Sequence, residues 1–113
     1  MIDLREKDRV RIIALAQKTL PPDTKVWAYG SRVKGTNYEA SDLNLVLVSE
    51  DQPVTQDRLQ AFKHALQDST IPIIVQVLIW EAIPASFQEN ILKCYEVLCV
   101  IKPIENDDGA TNE

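Results

Sequence analysis

The chain has 113 residues, 45% hydrophobic and 26% charged, with a formal net charge of -5, a composition that suits one globular domain with one modest core. Its longest apolar stretch, residues 71–80, is interrupted by Pro72 and Gln76 and falls short of the ~20 residues of a membrane span. Four acids and no base lie in the last eleven residues (Glu105, Asp107, Asp108 and Glu113), so the body is nearly neutral and lacks the basic surface that a nucleic-acid backbone requires.

No apolar signal region opens the chain, and a cytoplasmic location is the expectation. Asp3 followed by Glu6 has the form of a capping box, and Ile12, Ile13, Ala16 and Leu20 recur at helical spacing up to Pro21-Pro22. That pattern predicts an amphipathic helix over 4–19 that covers a sheet, its bases forming a solvated face. Residues 25–29 form the first predicted strand. It ends at Gly30-Ser31, a tight turn with close backbone approach; Ser31 brings a hydroxyl and an amide to it, and Lys34 adds positive charge.

Residues 36–40 are polar and predict a loop, and residues 42–48 a second strand. Alternation along a strand puts Asp42, Asn44 and Val46 on one face and Leu43, Leu45 and Leu47 on the other. Both faces turn apolar after Asn44, which marks a central strand covered by helices. Residues 49–53 predict a turn, and Thr55 caps a predicted helix to about Asp68 with Leu59, Phe62 and Leu66 along its buried stripe. His64 has no second histidine and no nearby cysteine, so surface packing is its expected role.

Residues 73–80 form the third predicted strand, in which Gln76 is the one polar side chain. A buried amide needs partners, and Gln76 finds them if it faces Asp42 and Asn44 from a neighbouring strand. Ser86 and Glu89 have the form of a second capping box, before a predicted helix from 87 to about 98 carrying Phe87, Ile91, Cys94 and Leu98. Leu92, Tyr95 and Cys99 widen its stripe, which suits helix-mediated association with a partner or a second copy. Cys94 and Cys99 are too few for a disulfide framework and are expected as buried free thiols. The domain is expected over 1–102, and 103–113 as an acidic disordered tail.

Gly30-Ser31, ten residues, then Asp42-x-Asn44 resembles the signature of the polymerase-beta nucleotidyltransferase superfamily, and most of all its small stand-alone minimal nucleotidyltransferase (MNT) proteins. The resemblance covers residues 10–100. It implies an α/β (α+β) fold, a small mixed sheet with flanking helices. It also implies nucleotide contacts at Gly30, Ser31, Arg32 and Lys34, catalytic positions at Asp42, Asn44 and Gln76, and a metal ligand at Asp42.

The family pattern is Gly-Ser, ten residues, Asp-x-Asp, with a third acid on a later strand; this chain has Asn44 and Gln76 at the second and third positions. Nucleotidyl transfer uses two metal ions to stabilise the attacking and leaving oxygens, and those hard cations want anionic oxygen ligands. Amides neither neutralise paired divalent charge nor act as general base. Weak or absent use of ATP and Mg2+ is therefore expected, with Glu39 and Glu81 the nearby acids available as replacements.

MNT proteins commonly work beside a helical HEPN-domain toxin, as antitoxins that, when active, transfer AMP to a tyrosine of the toxin. The resemblance implies an antitoxin-like protein that acts mainly by binding such a partner. Two other readings stay open: an active magnesium-dependent protein adenylyltransferase using ATP, and a non-catalytic nucleotide-binding or structural module.

Overall fold

The computed structural model describes residues 2–38, 41–50 and 52–103. The elements run α1 (Glu6–Thr19), β1 (Lys25–Tyr29), α2 (Ser31–Lys34), β2 (Leu43–Val48), α3 (Gln56–Gln67), β3 (Val75–Ile79), a 3-10 turn (Trp80–Ala82), α4 (Ala85–Lys93) and β4 (Tyr95–Val100). The four strands form one mixed sheet in the order β3-β2-β1-β4. β1 is antiparallel to both β2 and β4, and β2 is parallel to β3. The crossover from β2 to β3 carries α3, as a parallel pair requires.

The core lies between one face of the sheet and the pair α1 and α3. Val26, Ala28, Leu43, Leu45 and Leu47 are fully buried there with Ile12, Ala16 and Phe62. Thr55 caps α3, its Oγ1 accepting from the Arg58 amide at 3.3 Å, as its position before the apolar stripe predicts. On the opposite face Trp27 stacks on Tyr95 at 4.3 Å between centroids and meets Trp80 edge-on at 5.6 Å, while Tyr29 meets Phe87 at 5.8 Å. These rings and α4, with Ile91 buried, close that face over its far half.

Three expectations are corrected. The helix predicted from 87 to about 98 stops at Lys93, and Tyr95–Val100 is a strand paired with β1. Helical spacing does run through Ile91, Cys94 and Leu98, but Tyr95, Val97 and Val100 favour a strand, and β1 would otherwise present an unpaired edge. The broad helical association surface is thereby split between two elements. Cys94 ends α4 and Cys99 lies in β4; both are free and half-buried.

Neither proposed capping box forms. α1 begins at Glu6 with Arg5 at its cap, and α4 begins at Ala85 with Pro84 at its cap, both without a side-chain cap bond. Asp3 is used elsewhere: its carboxylate accepts from Asn37 Nδ2 at 2.6 Å and its carbonyl from Arg32. The acidic tail from residue 104 onwards and Glu39 lie outside the described residues.

Candidate functional site

The site begins where β1 ends. Gly30 has φ 88 and ψ -158, a region essentially restricted to glycine. A Cβ added there would lie 2.7 Å from Asn44 Nδ2, so the absent side chain is what lets the Asn44 amide lie against the turn. α2 is a single turn whose Val33 and Lys34 amides both donate to the Gly30 carbonyl at 3.0 Å. That turn sets Ser31 beside the start of β2.

Strand register brings the polar groups together. Asn44 is the pairing partner of Tyr29 on β1 and of Gln76 on β3. Asp42, two residues before Asn44, shares its face, and Gln76 Nε2 donates to Asp42 Oδ2 at 3.1 Å. The three expected catalytic positions are thus neighbours. Gln76 is exposed, while Asp42 and Asn44 are half-buried. Tyr29 completes the row, with burial pushing its phenol above the ordinary tyrosine range.

Ser31, Asp42 and Asn44 line an open cleft of about 420 Å³ with Thr36, Tyr38 and Ser41. Arg32 does not reach it. Neighbouring residues on a helical turn point about 100° apart, and Arg32 is buried, 6% exposed, on the other side of α2. Its Nε donates to the Ser41 carbonyl at 3.0 Å and its Nη1 to the Asp3 carbonyl at 2.9 Å. It lines a second cavity of about 710 Å³ with Asp3, Arg5 and Asp8. Its placement is that of a strut tying the N-terminal segment to the residue before Asp42, and it gives no support to nucleotide contact. Lys34 is exposed at the end of α2 and is absent from the cleft lining.

The donor set decides what the site can hold. Among the described residues Asp42 is the single carboxylate lining the cleft, and one of its oxygens already accepts from Gln76. Among the described residues no group of three or more His, Cys, Asp or Glu is placed to hold a metal ion. A pair of divalent ions needs clustered anionic oxygens, and one carboxylate with two amides does not fit it. The amide proton of Gln76 takes the place beside Asp42 where a second acid would require a cation.

Sequence reasoning placed Gly30, Ser31, Asp42, Asn44 and Gln76 correctly relative to one another. It missed Thr36, Tyr38 and Ser41 as cleft lining. The signal for Ser41 was its position next to Asp42; Thr36 and Tyr38 stand in a polar segment with no periodicity to orient them.

A strand, a Gly-Ser turn and a second strand opening with an acid and an amide define a nucleotidyltransferase-type site. The family described as "Polymerase beta, Nucleotidyltransferase" matches residues 11–103. A protein of Haemophilus influenzae (strain Rd) named "Probable protein adenylyltransferase MntA" is 36% identical over 99 residues, covering 86% of this chain and 83% of that protein. A solved structure described as "Crystal structure of the toxin-antitoxin with AMP-PNP" superposes with a TM-score of 0.68 at 15% identity, covering 82% of this chain and 73% of that one. The chain belongs to the polymerase beta nucleotidyltransferase family and is an MNT-type domain of it. Among the described residues no helix is long and apolar enough to cross a membrane.

Proposed function

We propose that this chain is the antitoxin-like member of a cytoplasmic two-component pair, neutralising a helical HEPN-domain toxin mainly by binding it. It holds a nucleotide such as ATP weakly at the Gly30-Ser31 turn and transfers it poorly or not at all. The observation that carries this reading is the hydrogen bond from Gln76 to Asp42 beside Asn44. Among the described residues, two amides and one carboxylate supply no anionic cluster for paired metal ions and no second acid beside Asp42 to act as base. The toxin–antitoxin description of the structural neighbour supports a toxin as the partner.

A second reading is favoured by the name of the MntA relative: an active protein adenylyltransferase that modifies its partner. Co-expression with a helical HEPN-domain toxin separates the two. If binding neutralises the partner, Asp42→Ala protects cells as well as the native chain does, and the complex co-purifies unmodified. If transfer neutralises it, Asp42→Ala loses protection and the native pair yields an AMP-modified tyrosine on the partner.

A further inference from the structure

Two open grooves flank α1, and Val10 and Ala14 form the wall they share. The first lies between α1 and β4 and is largely apolar, with Ile13, Cys99 and Val100 along it and Pro103 at one end. The second lies between α1 and the end of α3 and is bounded by Lys7, Arg11 and Lys18. Val10, on the shared wall, is 56% exposed.

The bases of α1 fall into two groups. Arg5 pairs with Asp8 and Arg9 with Glu6. Lys7, Arg11 and Lys18 are exposed and make no ion pair among the described residues. A row of surface bases is ordinarily just a solvated face; what distinguishes this one is where the chain leads. Gln17 Nε2 donates to the Lys102 carbonyl at 2.8 Å, and the Lys102 amide donates to Gln17 Oε1 at 3.2 Å. This double bond to one side chain fixes the backbone after β4 against the last turns of α1, beside Lys18.

Residues 104–113 follow from that point and lie outside the described residues. Their sequence opens with Ile104 and carries Glu105, Asp107, Asp108 and Glu113 without a base. Lys7 is ten residues before Gln17, or ~15 Å along the helix axis. Asp108, six residues past Lys102, has a reach of up to ~20 Å. Length and charge therefore both match the exposed face of α1.

We propose that residues 104–113 dock across α1, with Ile104 in the apolar groove beside Pro103 and the acids against Lys7, Arg11 and Lys18. The chain thereby supplies its own anionic occupant for a groove that would otherwise attract acidic surfaces of other molecules.

The test is zero-length carbodiimide coupling of the full chain at low salt, where exposed ion pairs are least screened, with cross-linked peptides mapped by mass spectrometry. The Lys25–Glu50 ion pair is an internal positive control. Lys7 and Lys18 are expected to couple to Glu105, Asp107 or Asp108 in the monomer, severalfold more than exposed Lys34 and Lys93 do. Arg11→Glu, at an exposed position, should melt with the native protein and lower those yields severalfold while Lys25–Glu50 coupling is unchanged. Coupling of Lys25 to Glu50 with none between the acidic segment and α1 overturns the proposal. So does coupling spread evenly over the exposed lysines, or a yield that Arg11→Glu leaves unchanged. Cross-links confined to dimers would assign the groove to a second copy instead and overturn docking within one chain.

Discussion

The two faces of β2 differ sharply although they share one backbone. Leu43, Leu45 and Leu47 are fully buried in the core beneath α1 and α3. Asp42 and Asn44, which alternate with them, open on a cleft beside Ser31. A period of two lets one strand hold the fold with one set of side chains and present chemistry with the other. Polar groups are confined to the start of the open face; by Val46, next to Trp27 in register, that face is buried too. On the proposed reading, the cleft side chains can differ from the family's acids while the leucine face keeps the fold.

The division breaks most visibly in stability. Leu45→Ala should destabilise by about 3 kcal/mol, through lost transfer energy and the cavity left behind, while Asn44→Ala should stay within about 1 kcal/mol. Urea unfolding measures both, and comparable costs would erase the distinction between the faces. Gly30→Ala comes next, at about 2 kcal/mol, because it forces a side chain into a glycine-only conformation and a Cβ 2.7 Å from Asn44 Nδ2. A native melting temperature for Gly30→Ala would show that the turn and the strand are not in contact.

The smallest effect is chemical. Cys99 packs against the core on the closed face, and burial pushes its thiol up to about 11. Iodoacetamide labelling of Cys99 should be slow at pH 8 and rise as the pH approaches 11, where the reactive thiolate forms. Rapid labelling at pH 8 would mean that the β4 edge of the closed face opens readily.

The sequence made the site more legible than the sheet around it. Gly30-Ser31, Asp42 and Asn44 sit on two adjacent strands joined by a short connection, so spacing and alternation were enough to align them. Gln76 followed because it is the one polar residue in its strand. β4 was hidden because Phe87, Ile91, Cys94 and Leu98 keep a helical period across a helix and the strand after it. What settles Tyr95–Val100 is pairing with β1, from the other end of the chain, which no local pattern encodes. At the β1–β4 pair the register slips between Val26 and Trp27, and both Leu98 and Cys99 meet the core; alternation in the sequence does not reveal such a bulge. Arg32 was misplaced for a different reason: a base after Gly-Ser suggests a phosphate ligand, and only the rotation of α2 shows its guanidinium bound to the carbonyls of Asp3 and Ser41.

The most direct measurement is magnesium-dependent ATP binding and label transfer by the native chain beside Asn44→Asp plus Gln76→Asp. With three clustered carboxylates, the double variant should lose about 1 kcal/mol without magnesium through like-charge repulsion, recover it when magnesium is added, and gain metal binding or turnover. The native chain, its Asp42 held by Gln76, should show neither the magnesium-dependent recovery nor transfer. Transfer by the native chain at a rate the double variant does not exceed would contradict the account, and would require another acid to supply what Asn44 and Gln76 lack.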